Sequence, residues 1–295
     1  MTVTARRIKM FFPGFLVFLV CLLALPLLAA PAPVADQALP EPPRRFSRTI
    51  RETVRWTGAQ QILVTEAAGR IRVRGEDRTD IEFKGIQTAF HKSLDTARTH
   101  VTDVVLGVES RPESLRLHTR LPDTWKSGLS GRIDYSLKAP EKAPLALQTV
   151  TGNIYVTDMQ GPLDAHTVDG DTLCRNVKGP VTIVSVTGGV TVDRCPRALS
   201  VRTLTGPVTM TLDTLEDNLE INTLSGPVRV ILERGADVRL VLSTGVGAID
   251  TGGPDDFSGR RVVEKTYGGG AHTVTVRSLT GSITIENNDD PRKRK

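Results

Sequence analysis

LALQTVTGNIYVTDMQGPLDAHTVDGDTLCRNVKGPVTIVSVTGGVTV, residues 145–192, says one thing three times. Apolar residues alternate with polar ones, a Thr/Ser-Val-Thr/Asp-Gly segment intervenes, and the alternation resumes. The same pattern returns at 199–210 (LSVRTLTGPVTM), 219–230 (LEINTLSGPVRV) and 274–285 (VTVRSLTGSITI), with a worn copy at 240–251 (LVLSTGVGAIDT). Gly152, Gly170, Gly188, Gly206, Gly226, Gly247 and Gly281 anchor the copies, at steps of 18, 18, 18, 20, 21 and 34 residues. An internal repeat of this kind governs the reading of everything else in the chain.

Period-2 alternation on both sides of a glycine describes two short strands, each with one buried face, joined by a tight turn. Counting from the glycine, positions −7, −5, +2 and +4 point inward, and −6, −4, +1 and +3 point outward. One repeat then buries four or five side chains, worth about 1.5–3 kcal/mol each. Ordering its 18 residues costs about 1.5 kcal/mol per residue. A lone repeat is unstable and must stack on its neighbours. The expectation is an all-β fold: a right-handed parallel β-solenoid of coils of about 18–20 residues with a β-rich N-terminal cap. An antiparallel β-sandwich could be built from the same strands but does not require register identity at a fixed step.

Working outward, residues 62–73 (ILVTEAAGRIRV) fit the template around Gly69. Residues 80–84, 103–110, 114–121 and 132–138 read as strands, and 91–102 as a short helix. At the N-terminus, Arg6, Arg7 and Lys9 precede an apolar run from Met10 to Ala30. That is a signal peptide or an N-terminal membrane anchor, and either places the body outside the cytoplasm. The expected divisions are 1–35 signal or anchor, 36–45 Pro-rich linker, 46–140 β-rich N-terminal section, 141–287 repeats and 288–295 polar, basic tail.

The formal net charge is +5, of which three charges come from Arg6, Arg7 and Lys9 and four from Arg292–Lys295, leaving about −2 for the body. Such a body lacks the basic face of a nucleic-acid binder. Cys174 occupies the inward +4 slot and Cys195 an inward +7 slot, at different corners of successive coils, so two buried thiols are expected.

Three stretches together resemble a family of bacterial exported or membrane-attached proteins of unknown function, the putative adhesins. They are GRIDYSLKAPEKAPLALQTVTGNIYV (131–156), the successive TVTG/TVDG/TLTG/TLSG turns, and GGGAHTVTVRSLTGSITIEN (268–287). The resemblance covers residues 60–287. It implies a β-solenoid fold and an envelope location, and it carries no catalytic residues.

The chemistry-bearing residues are sparse. The five His are dispersed, and no HExxH, CxxC or GxSxG is present. We expect no catalytic residues, no cofactor and no metal centre. The one donor set worth naming for a divalent cation is Asp164, His166, Asp169 and Asp171, although Asp is equally a turn residue. Position −4 makes an outward ladder of Gln148, His166, Val184, Arg202 and Asn222. Position +3 makes another of Tyr155, Leu173, Thr191, Thr209 and Arg229. Gln148, Tyr155, His166, Arg202 and Asn222 are therefore the candidate ligand face. The expected function is a non-enzymatic cell-envelope module, adhesin-like or scaffolding, binding a polymer such as a glycan or an envelope protein. The alternatives are a β-helix carbohydrate-active enzyme and a membrane-anchored accessory protein in envelope signalling.

Overall fold

The computed structural model describes residues 42–58, 60–125, 128–252 and 261–288. The expected signal or anchor lies outside these residues, as do most of the linker and the basic tail. Among the described residues no helix is long and apolar enough to cross a membrane.

The chain begins with β1 (Arg44–Arg55), β2 (Gln61–Ala68), β3 (Ile71–Glu76) and β4 (Asp80–His91). A short α1 (Leu94–His100) follows, capped by Ser93, and then β5 (Val105–Ser110), β6 (Ser114–Arg120) and β7 (Ser130–Pro140). The repeats supply β8 (Leu145–Thr151) and β9 (Ile154–Thr157), β10 (Leu163–Asp169) and β11 (Thr172–Arg175), β12 (Val181–Thr187) and β13 (Val190–Asp193). They continue with β14 (Ala198–Thr205) and β15 (Val208–Leu212), then β16 (Leu219–Ser225) and β17 (Val228–Leu232). The chain closes with β18 (Val238–Val246), β19 (Ile249–Asp250), β20 (Val262–Tyr267), β21 (His272–Thr280) and β22 (Ile283–Asn287).

These strands form two open, mixed, eleven-stranded sheets around one apolar core. Each repeat gives its first strand to one sheet and its second to the other. From β8 to β17 every pairing is parallel, and equivalent residues of successive repeats stand side by side: Leu145, Leu163 and Val181, for example. The core is accordingly aliphatic and stacked: Ile154, Val190, Val208 and Val228 at +2, and Val156, Cys174, Val192, Met210 and Val230 at +4, are all at most 1% exposed.

Gly at the turn is a steric requirement. A Cβ on Gly188 would lie 2.3 Å from the Gly170 carbonyl oxygen, and one on Gly206 2.1 Å from that of Gly188, both at positive φ. The glycines pack carbonyl to Cα in one column, and any side chain would wedge the stack apart.

Three details depart from the sequence expectation. Leu199, expected inward at −7, is 38% exposed and Ala198 fills its slot, because a register shift after Val181 bulges the strand. Position −3 also points inward, as a buried row of hydroxyls (Thr149, Thr167, Ser185, Thr203, Thr223, Ser278, Thr244) with Glu66 in the same place upstream. Strand β1 takes up Arg44 and Arg45, which the sequence assigns to the linker.

The order of rungs is the larger surprise. The last repeat does not end the stack. β21 lies between β16 and β18, and β22 between β17 and β19, so β18 to β20 form the outer end. The N-terminal end repeats the device: β2 and β3 lie between β8–β9 and the later pair β6–β7, with β4, β1 and β5 adding antiparallel edges.

Candidate binding faces

The registers sort the candidate residues by sheet. His166 pairs with Gln148 and Val184, Val184 with Arg202, and Arg202 with Asn222, all on the sheet that contains β8. Tyr155 stands beside Leu173 on the other sheet. Four of the five candidate ligand residues therefore share a face, and Tyr155 does not join them. The reason is the turn: −4 and +3 fall on opposite sides of the anchor glycine and so in different sheets.

Asp164, His166, Asp169 and Asp171 do not converge. Asp164 Oδ1 lies 2.8 Å from His166 Nε2 along β10. Asp169 Oδ1 accepts from Thr187 Oγ1 at 3.0 Å. Asp171 Oδ1 accepts the Gly189 N–H at 2.8 Å, while the Asp171 N–H donates to Asn153 Oδ1 at 3.0 Å. The acids at the turn accept from the adjacent rung, Asp169 from a hydroxyl and Asp171 from an amide, in keeping with Asp as a turn residue. Among the described residues no group of three or more His, Cys, Asp or Glu side chains comes together to hold a metal ion.

The −4 row runs further than the repeat count suggested. Arg277 pairs with Asn222 and also holds Glu220. Beside it runs a row that sequence reasoning left unassigned. Position −2 carries Val150, Val168, Leu204, Leu224 and Leu279, which are 42–55% exposed. Its signal was present: an apolar residue recurs at a position of outward parity. Between the two rows an open groove of about 750 Å³ is lined by Val184, Arg202, Asn222 and Arg277 on one side and by Val186, Leu204, Leu224 and Leu279 on the other.

The interior holds few ionisable groups. Cys174 and Cys195 are free and buried, with Cys195 Sγ 3.9 Å from the Cys174 carbonyl oxygen, so they adjoin one another. Burial raises both thiols, that of Cys195 to about 11. Glu66, 3% exposed, accepts from Thr119 Oγ1 and from the N–H groups of Ala67 and Ala68. Thr119 Oγ1 lies 3.0 Å from the Tyr135 hydroxyl. Burial raises the carboxyl of Glu66 more than these hydrogen bonds lower it.

No family model matches the chain. No curated protein matches it either. Among solved structures it is similar to a putative cell adhesion protein from Clostridium sporogenes, at 15% identity and a TM-score of 0.38, over 82% of this chain and 100% of that one. A putative adhesin from Bacteroides fragilis is similar at 11% identity and a TM-score of 0.39, over 81% and 97%. A putative lipid binding protein from Parabacteroides distasonis is similar at 11% identity and a TM-score of 0.30, over 81% and 96%. Likenesses this distant establish neither function nor partner.

Proposed function

We propose that this chain is a non-enzymatic module of the cell envelope, located outside the cytoplasm, that binds an extended polymer along the groove of its second sheet. On this reading the two sheets are two walls of a right-handed parallel β-solenoid, since each repeat feeds both sheets and pairs in parallel with its neighbour. The observation that carries the reading is the periodic outward face. Gln148, His166, Arg202 and Asn222 stand in register on one face, with Val184 on the rung between His166 and Arg202. Parallel strands lie about 4.8 Å apart, so the groove offers an apolar ridge at every step and a polar group at every step but that of Val184. A chain of repeating units such as a glycan matches that arrangement.

A protein partner is the second reading. The exposed apolar row from Val150 to Leu279 favours it, because apolar surface left in contact with water commonly marks an interface.

The test mixes the purified protein with a panel of envelope and extracellular polysaccharides and reads binding and release of reducing ends in the same samples. Binding without cleavage, lost in Arg202→Ala together with Asn222→Ala, is the expected result. Cleavage that disappears in Asp164→Ala with His166→Ala makes the chain an enzyme and overturns the proposal. Silence in both channels, with a membrane protein captured by wild type and not by Leu204→Ser/Leu224→Ser, makes the protein partner the correct reading.

A further inference from the structure

The first sheet has a different chemistry at its N-terminal end, on its outward face. Arg51 stands beside Lys84, Lys84 beside Ser136, Ser136 beside Arg72, and Arg72 beside Tyr155. With strands about 4.8 Å apart, one lateral row gathers three cations within about 15 Å. Arg70, two positions from Arg72, falls on the same face. Arg70, Arg72, Lys84 and Ser136 line a recess of about 140 Å³. At about 30 Å³ per water, it has room for one tetrahedral oxyanion with part of its hydration.

Cations outnumber carboxylates at this recess, with Arg70, Arg72 and Lys84 against Asp134. Among the described residues Arg51, Arg70 and Lys84 form no ion pair. Several cations elsewhere on the same face are paired, among them Arg74 with Asp158, Lys138 with Glu76 and Glu82, and Arg229 with Glu286. The one carboxylate at the recess, Asp134, is already engaged. Its Oδ1 accepts the Arg70 backbone N–H at 2.9 Å, and its Oδ2 lies 3.9 Å from Arg132 Nε. Arg72 is held in place, its guanidinium 5.6 Å from the centre of the Tyr155 ring, whose hydroxyl accepts from Asn153 Nδ2 at 2.9 Å. Tyr155, separated from the other candidate ligand residues, thus serves this site as the support under an arginine. Guanidinium forks and an ammonium around a small recess, with a hydroxyl beside them, form the donor set that recognises phosphate.

We propose that Arg70, Arg72, Lys84 and Ser136, with Arg51 at the rim, bind a phosphate group of an envelope component. The site lies on the other sheet from the groove and stands or falls independently of it.

The experiment uses the full chain and three variants. Arg70→Glu/Lys84→Glu reverses the recess. Arg70→Gln/Lys84→Gln neutralises it at less risk to folding. Arg116→Glu/Arg120→Glu makes the same change in charge on the other sheet, on β6. Inorganic phosphate alone is one probe. The other is vesicles of phosphatidylcholine with or without phosphatidylglycerol. The residues before Arg44 are common to all variants, so differences between them report the recess. Expected is binding that weakens tenfold or more in both recess variants, is unchanged in Arg116→Glu/Arg120→Glu, and falls steeply with salt. Loss confined to phosphatidylglycerol vesicles identifies a lipid headgroup as the source. Loss seen with phosphate alone identifies a soluble phosphate. Equal binding by wild type and both recess variants in both arms overturns the proposal, as does an equal loss in Arg116→Glu/Arg120→Glu.

Discussion

At the scale of single residues, the repeat turns each position into an experiment already run several times. Position +2 is Ile154, Val190, Val208, Val228 or Ile283 in its siblings and Thr172 in one rung. Thr172 is 1% exposed and its hydroxyl has no partner. A buried, unpaired hydroxyl is costly, whereas Val has the same shape and fits its neighbours. Thr172→Val is expected to raise stability by about 1 kcal/mol, read as a higher urea midpoint with unchanged slope. Glu66 occupies a place that seven other rungs give to Thr or Ser. Its carboxyl is raised in the folded protein by burial. The stability tied to its protonated form is fully present below the ordinary Glu range, near pH 4. It is lost as pH rises through the folded value. Glu66→Gln keeps an oxygen for the Ala67 and Ala68 amides. It should be more stable than wild type at pH 7, and this advantage should vanish in acid. A pH series of urea midpoints with a constant difference between the two proteins would contradict this account.

At the scale of the strand and turn, the glycine column decides whether rungs can close on one another. The left-handed column six residues later is more tolerant. It holds Asp158, Asn176 and Arg194 at φ 61, 53 and 52, with Asn176 Nδ2 donating to Asp158 Oδ1 at 2.8 Å. Asx side chains accept that conformation readily. No such accommodation exists at Gly206, whose added Cβ would meet backbone at 2.1 Å at φ +128. Gly206→Ala should cost about 2 kcal/mol or more, from strained backbone and a spread stack, measured by thermal or urea unfolding. A loss below a few tenths of a kcal/mol would show that the column can relax and that packing there is loose. The repeat pattern made these glycines legible as turns. It did not make the column legible, because contact between Gly188 and Gly206 is set by the stacking of rungs and not by either turn alone.

At the scale of the whole molecule, both ends of the stack are locked by the same rearrangement. β21–β22 and β2–β3 each lie one rung in from an end, covered by strands that are nearer the middle of the chain in sequence. A solenoid laid down in chain order would fray from its last repeat, since terminal rungs have a neighbour on one side only. Here the β21 amides should exchange with deuterium as slowly as those of β14 and more slowly than those of β20. Faster exchange in β21 than in β20 would mean that the inserted rung opens first. The strands of the repeats, their turns and the aliphatic core were legible in local sequence, whereas β1 and β20 were not. Local sequence also set the outward rows of Gln148, His166, Arg202 and Asn222, because period and spacing are properties of a local segment. Which rung sits beside which was settled by pairing between distant segments. That pairing placed Tyr155 under Arg72, away from His166, and it brought Arg70, Arg72 and Lys84 together around a single carboxylate, Asp134. Those outcomes depend on pairings between segments tens of residues apart, and any of the repeats could have paired almost equally well with another. The choice among near-identical partners falls to the strands that close each end of the stack and to the side chains that meet across it.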